Sequence, residues 1–492
     1  MVRAWLVLQR AGRSFADRSR HRDTSFGRSA GDERKQNAGF RRLSGPGDAA
    51  VQGHGRDGAI LLLATYQGWQ HTMTMPADLL ASVFDRRKVR PTAVPRGKKT
   101  LAELARELIV GAGEASGLAS ASAILSGYAS LDDAGKLAFF RMMAVEMNIS
   151  ADKVRLALDA YEAAPSKITY RDFAAAAEPP RQELIRRLNR VPGATGGLVR
   201  MRADLLRLGR GEPDLEALDL DFRHLLGSWF NRGFLVLRPI SWESPAHILE
   251  KIIAYEAVHA IDSWDDLRLR LEPADRRCFA FFHPAMPDEP LIFVEVALMR
   301  GIAQSIQALL AEGREVKPAE VADTAVFYSI SNCQPGLAGI SFGNSLIKQV
   351  VADLAQELPE LRTFATLSPL PGFVRWMSET GIDVLAEDEL SHCSLAAYYL
   401  VHAKDRSGMP IDPVARFHLG NGAIVHQIHA DADTSEKGRG QSAGLMVNYL
   451  YDLGCVAQNH ERFASTGEIA QSAQVRALCT AADRALHSGK KA

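Results

Sequence analysis

A chain of 492 residues exceeds what one ordinary hydrophobic core organises, and 47% apolar with 24% charged residues is the balance of a globular protein of two or three domains. Lysine plus arginine equal aspartate plus glutamate, 58 against 58, which excludes a global attraction to nucleic acid. Five scattered cysteines (Cys278, Cys333, Cys393, Cys455, Cys479) with no C-x-x-C pair argue against a disulfide framework or a zinc knuckle and for a reducing compartment.

Residues 1–72 are rich in arginine, serine and glycine and lack sustained apolar periodicity, so a basic, disordered extension is expected there. The arginine–serine bias fits a transit peptide, but Asp17, Asp23, Asp32 and Glu33 weaken that reading, and Met73 or Met75 is expected to be the effective start. "AILLLATY" at 59–66 is too short to span a bilayer, and the terminal "SGKKA" is not an S-K-L address. The expected compartment is the cytoplasm, with mitochondrial targeting by the basic N-terminus as the alternative.

From 73 to 210 the pattern is helical. Thr100 with Glu103 has capping-box spacing ahead of "LAELARELIV". "LDDAGKLAFFRMMAVEM" puts Leu137, Phe140, Ala144 and Met147 on one stripe. The glycines of "VPGATGGL" are expected to mark a break between helices. Few nucleophiles or acids cluster in this half, which reads as an assembly domain. From 211 to 492, runs rich in β-branched and aromatic residues alternate with helical stretches: "GFLVLRPI", "RCFAFFH", "LIFVEVAL", "AVFYSIS" and "TFATLS". Several are apolar on both faces, so a covered sheet in an α/β or α+β domain is expected.

Three stretches carry candidate chemistry. In "YSISNCQPGLAGISFGNSLIKQVV" (328–351) a strand leads through Gly336, Gly339 and Gly343 into a helix. That arrangement suits a phosphate at a helix N-terminus, or is simply a turn that needs glycine; it is neither a P-loop nor G-x-G-x-x-G. In "LSPLPGF" two prolines place Ser368 at a rigid corner, where it either caps a turn or presents a hydroxyl. "ARFHLGNGAIVHQIHADAD" (415–433) holds three histidines and two aspartates. Asn421–Gly422 predicts a two-residue hairpin turn, in which His418 and His426 point to opposite faces. His429 then lies about 13 Å along from His418. Three ligands at about 2.0–2.1 Å from one zinc do not assemble that way, so no metal and one working histidine, His418, are expected. "EAVH" (256–259) has Glu-x-x-His spacing in a single clear copy, which favours a satisfied helix histidine over a di-iron site. No G-x-S-x-G elbow is present.

With these pieces in order the chain resembles the malonyl-CoA decarboxylase family. The matching segments are "FFHPAMPDEPLIFVEVAL", "YSISNCQPGLAGISFGNSLIKQVV", "LSPLPGF", "DPVARFHLGNGA" and "SAGLMVNYLY", spread over roughly residues 76 to 480. The resemblance implies an α+β architecture: an all-helical N-terminal domain for oligomerisation, then a catalytic α/β domain of the Gcn5-related acetyltransferase fold. It implies decarboxylation of malonyl-CoA to acetyl-CoA without metal or organic cofactor, by a homo-oligomer expected to be a tetramer, with no nucleic-acid or membrane partner. By matching motifs the catalytic pair falls on His418, as proton donor, and Ser368, which orients the malonyl group. The acyl-CoA loop falls on Ala338, Gly339, Ile340, Ser341, Phe342, Gly343 and Asn344, after Gln334 and Gly336. "QPGLAG" is shifted by one position from the acetyltransferase loop signature, so individual phosphate contacts stay unassigned. Ser329 and Tyr451 are second-rank candidates for the same pocket. The rivals are an acyl-CoA N-acetyltransferase, which needs an amine acceptor, and an acyl-CoA-binding protein without catalysis.

Overall fold

In a computed structural model, residues 99–111, 113–340, 346–382 and 391–488 are described. The basic extension and the suggested start methionines lie outside them. Eight helices come first: α1 (Leu101–Val110), α2 (Glu114–Ala129), α3 (Asp133–Glu146), α4 (Ala151–Ala163), α5 (Lys167–Ala177), α6 (Pro180–Leu188), α7 (Ala194–Leu208) and α8 (Pro213–Trp229). The capping box at Thr100 and Glu103 forms as expected, and Phe140, Ala144 and Met147 are buried. The glycines of "VPGATGGL" do more than break a helix. Gly193 takes the left-handed conformation before α7, while Gly196 and Gly197 lie inside it, where a Cβ on Gly196 would meet Met286 at 3.6 Å.

The second part is built on an eight-stranded sheet in the order β1-β2-β3-β4-β5-β8-β6, with β7 also paired to β8. In chain order its elements are β1 (Val236–Ile240), α9 (Ala246–Tyr255), α10 (Trp264–Leu271), β2 (Arg276–Phe282), β3 (Ile292–Met299), α11 (Ile306–Leu310), β4 (Thr324–Asn332), α12 (Leu346–Glu357), β5 (Thr363–Thr366) and β6 (Ser368–Pro369). There follow α13 (Phe373–Glu379), α14 (His392–His402), α15 (Pro413–Gly420), β7 (Ile424–His429), α16 (Glu436–Ser442), β8 (Met446–Leu450), α17 (Val456–Thr466) and α18 (Ala473–Ser488). Alternation along β2 divides the layers. Phe279 and Phe281 join the cluster that contains the apolar stripe of α12, whereas Cys278, Ala280 and Phe282 pack with residues of α9 and α10. The expected α+β architecture is what the chain adopts.

Two local departures from a regular sheet position the site. Glu295 pairs with Ser329 but Val296 with Phe327, so Tyr328 is the extra residue of a β-bulge in β4. The parallel pairing of β4 with β5 runs only from Thr324↔Thr363 to Phe327↔Thr366, so the two strands part company at that bulge.

The helical half and the strand half share a core. Leu337 and Ile340, from the loop after β4, are buried in the same cluster as Leu198, Val199 and Phe222 of α7 and α8. Gly336 lies so close to α7 that a Cβ there would stand 1.8 Å from the Val199 carbonyl oxygen. Backbone cannot yield as a flexible side chain does, so Gly336→Ala should cost about 1–3 kcal/mol, the usual range for overpacking. Denaturant unfolding of the variant measures this, and parent-like stability would mean that the loop does not seat on α7.

Candidate functional site

His418 does not lie on a hairpin strand. Pro413–Gly420 is a helix, because Asp412 caps it by accepting from the Val414 and Ala415 amides at 3.0 and 2.9 Å, and Pro413 occupies a first-turn position that needs no donor. Asn421 and Gly422 then end the helix instead of turning a hairpin. The Asn421 amide donates to the Phe417 and His418 carbonyls, and Gly422 has φ +86° with no room for a Cβ beside the Val456 carbonyl. The expected opposition of His418 and His426 across a turn is therefore replaced by a helix residue and a strand residue.

The three histidines have separate surroundings. His429 Nε2 meets Asn448 Oδ1 at 2.5 Å, and His426 stands where the β7–β8 register shifts. Among the described residues no group of three or more His, Cys, Asp or Glu side chains is arranged to hold a metal ion.

His418 is 2% exposed and lies between two hydroxyls. Its Nε2 is 3.2 Å from Ser368 Oγ, and its Nδ1 is 2.8 Å from the Tyr451 hydroxyl. Ser368 Oγ in turn donates to Thr366 Oγ1 at 2.9 Å, and Thr366 Oγ1 accepts from the Tyr449 amide. The Tyr449 ring stacks on the imidazole with centroids 4.5 Å apart. Read along the chain, Tyr451 donates to Nδ1, Nε2–H donates to Ser368, and Ser368 donates to Thr366, which assigns the neutral imidazole with its proton on Nε2. The last turn of a helix favours a cation by about 0.3–1 kcal/mol. Burial outweighs it and pushes the His418 pKa down to about 3. Burial also drives the Tyr451 hydroxyl far above its ordinary range, so it stays a neutral donor or acceptor.

The remaining expected residues divide into four groups. Gln334, Ala338, Gly339 and Ile340 line a cleft of about 350 Å³, which is also lined by Arg416 and Phe417, the residues just before His418. Gly336 is buried against Val199 of α7, and Ser341, Phe342, Gly343 and Asn344 lie outside the described residues. Ser329 is not hydrogen-bonded to Ser368, His418 or Tyr451. The bulge turns it toward Glu256, to whose carboxylate its hydroxyl donates at 2.7 and 2.9 Å.

Glu256 is not helical either. It is the residue after α9, and its Oε1 also accepts from the Val258 and His259 amides at 2.7 and 2.8 Å. Those bonds compete with helix continuation, which takes His259 off the helix on which it was expected. Burial holds the His259 pKa down to about 4, while burial and the nearby Glu256 push Glu295 up to about 8. Sequence reasoning missed Thr366, Tyr449 and Asp412. Tyr449 had a signal: in "NYLY" it stands two residues from Tyr451, a spacing that shares one face of a strand.

A larger cleft of about 620 Å³ lies in the helical half, lined by Tyr128, Lys136 and Asp204 among others. Lys136 and Asp204 neutralise one another across 2.8 Å there.

Comparison with known proteins gives a consistent result. The profile of the malonyl-CoA decarboxylase N-terminal domain matches residues 148–230, and that of the C-terminal domain matches 233–393 and 386–488. The mitochondrial malonyl-CoA decarboxylase of Anser anser anser is 36% identical over 348 residues, covering 60% of this chain and 69% of that protein. The Mus musculus protein of the same name is 34% identical over 355 residues, 61% of this chain and 71% of its own. Among solved structures, malonyl-CoA decarboxylase from Rhodopseudomonas palustris superposes with TM-score 0.73 at 48% identity, covering 76% of this chain and 98% of that one. The Agrobacterium vitis enzyme gives 0.72 at 48%, covering 77% and 99%.

A buried neutral imidazole leaves a mark on acid stability. The folded chain protonates His418 only near pH 3, whereas the unfolded chain does so near 6.5. Between those values the unfolded state binds more protons, so stability falls as pH falls, by up to about 1.4 kcal/mol per pH unit, and the contribution is level above 6.5. His418→Gln should flatten the unfolding free energy between pH 6 and 4 by up to that slope, while His259 keeps its own share. Parallel curves for parent and variant would mean that His418 is not held neutral.

Proposed function

Because the chain belongs to the malonyl-CoA decarboxylase family, we propose that it converts malonyl-CoA to acetyl-CoA and CO2, with His418 as proton donor to the enolate and Ser368 as the hydroxyl that orients the malonyl group. One observation carries this reading: the unbroken hydrogen-bonded line from Tyr451 through His418 to Ser368, inside a buried site beside the cleft.

The chemistry follows from charge. Breaking the bond between the carboxylate carbon and the α-carbon releases CO2 and leaves the electron pair as a thioester enolate. The enolate then takes one proton, so each turnover consumes a proton from solution. A neutral imidazole is the form poised to collect it. A malonyl carboxylate seated beside Nε2 favours the imidazolium, which offsets the burial that otherwise keeps the ring neutral. Tyr451 accommodates the change because its hydroxyl accepts from Nδ1–H as readily as it donates to the bare nitrogen. As CO2 departs, the negative charge moves to the enolate and Nε2–H delivers its proton to the α-carbon. The Ser368 hydroxyl, released from Thr366, donates to the carboxylate or to the thioester oxygen. A dry pocket favours the step, since the dispersed charge of an enolate needs less hydration than a carboxylate.

Full-length protein given malonyl-CoA alone should form acetyl-CoA and CO2 in equal amounts. An absolute need for an amine acceptor would point to an acetyltransferase, and bound but unchanged malonyl-CoA to a non-catalytic binding protein. His418→Ala should lose about 10²–10⁴ in kcat, and Ser368→Ala about 10²–10³. His426→Ala should stay within a few-fold of the parent. His429→Ala should lower the melting temperature, because it strips a partner from buried Asn448, and keep most of its turnover. A fully active His418→Ala protein would remove the proton donor from the scheme.

We further propose that the helical half associates with copies of itself. Helices α4 and α5 have no buried residue and pack chiefly on each other through Tyr161, Tyr170 and Phe173. Leu156 and Ile168 are left 73% and 62% exposed, an apolar face that water disfavours. The five cysteines are all free, which agrees with a reducing compartment such as the cytoplasm. No helix among the described residues is long and apolar enough to cross a membrane. Combined Leu156→Glu and Ile168→Glu substitutions should lower the molar mass measured by light scattering. An unchanged assembly would move the interface elsewhere.

A further inference from the structure

The loop that ends β4 is shaped by the helical half at least as much as by its own sheet. Arg202 of α7 is buried, ion-paired to Asp219 at 2.8 Å, and donates from Nη1 to the carbonyls of Gly336 and Ala338 at 2.8 and 2.9 Å. A guanidinium that takes two loop carbonyls two residues apart fixes which way those peptides face. Leu337 and Ile340 anchor the same loop in the helical core. A second arginine from this half, Arg223 of α8, reaches the loop from its exposed side. Gly339 has φ +71°, and a Cβ there would stand 3.6 Å from the Arg223 guanidinium carbon, with its Nε and one Nη at 3.8 Å. Arg223 is solvent-exposed, and among the described residues no carboxylate pairs with it. Gly339 is itself part of the wall of the 350 Å³ cleft, which Arg416 also lines. Arg416 is already engaged with Asp405 at 3.1 Å and with the Pro410 carbonyl, whereas Arg223 has no carboxylate partner among the described residues.

We infer that Arg223, supplied by the helical half, binds a phosphate of the acyl-CoA substrate at the Gly339 edge of the cleft, with Arg202 as the positioning residue that presents the loop. The inference rests on the acyl-CoA reading of the site. Its physical basis is an unpaired guanidinium beside a glycine whose missing side chain opens the approach, and guanidinium geometry matches phosphate oxygens two at a time. The helical half is then a component of the ligand site, in addition to any part it has in assembly.

The test compares two substrates on the full chain: malonyl-CoA, and malonyl-pantetheine, which keeps the thioester and lacks every phosphate. Arg223→Gln should raise KM for malonyl-CoA by about tenfold or more, as for a lost charge-assisted hydrogen bond, with kcat changed far less. The same variant should match the parent in kcat/KM on malonyl-pantetheine. KM of the parent for malonyl-CoA should rise with added salt, and that rise should be blunted in the variant. An unchanged KM for malonyl-CoA would overturn the inference. So would an equal loss on both substrates, since that is the mark of a structural role. A parent that decarboxylates neither substrate would overturn the functional reading instead, so the two failures are distinguishable.

Discussion

Taking an imidazole out of water removes its proton unless an anion is near, and among the described residues no carboxylate is hydrogen-bonded to His418. The strand half is arranged around that neutral ring. Helix α15 has to begin at Asp412 for the ring to arrive between Ser368 and Tyr451, and Asp412 is itself steadied by the Tyr399 hydroxyl at 3.1 Å. β5 has to leave β4 after Phe327 for Ser368 to stand at the corner, and the Ser442 hydroxyl holds the Leu370 amide just beyond it. The stacked Tyr449 closes the remaining side. Together these contacts bury the ring, and burial makes it a poor base.

Much of the fold was legible from local pattern. The β-branched and aromatic runs became β1 to β5, and the apolar stripe of 131–147 became a buried helix face, because alternation and 3.6-residue periodicity record burial directly. The misreading at 413–422 has a definite cause. Asn-Gly serves a hairpin turn and a helix C-terminus equally well, and only the Asp412-Pro413 start upstream tells them apart. Weighting that start signal would have put His418 on a helix. "EAVH" failed in the opposite sense: its periodicity continues a helix, but the Glu256 carboxylate captures two amides that a continued helix would have bonded to its own carbonyls.

The site was legible as a set of residues and not as an arrangement. Ser368, His418 and Tyr451 do meet, though nothing in their spacing of 50 and 33 positions required it. Ser329 went elsewhere because one extra residue in β4 turns its side chain to the other face of the sheet, and a bulge leaves no composition signal. The part played by Arg202 and Arg223 was invisible for a simpler reason. The helical half was read for its own periodicity, and an arginine that serves another part of the chain looks like any surface charge.

The seating of the glycine loop on α7 also constrains the order in which the molecule is made. Arg202 and the Gly336 carbonyl it grips are 134 positions apart. A bundle held by neighbouring helices closes its short-range contacts quickly, whereas a contact across so long a separation waits for chain closure. During synthesis the bundle residues leave the ribosome well before the loop does, so α7 and α8 can serve as a preformed mould. The Arg202 side chain, paired with Asp219, is then short of two carbonyl partners until the loop arrives, so the bundle gains its last buried hydrogen bonds only when Gly336 and Ala338 dock.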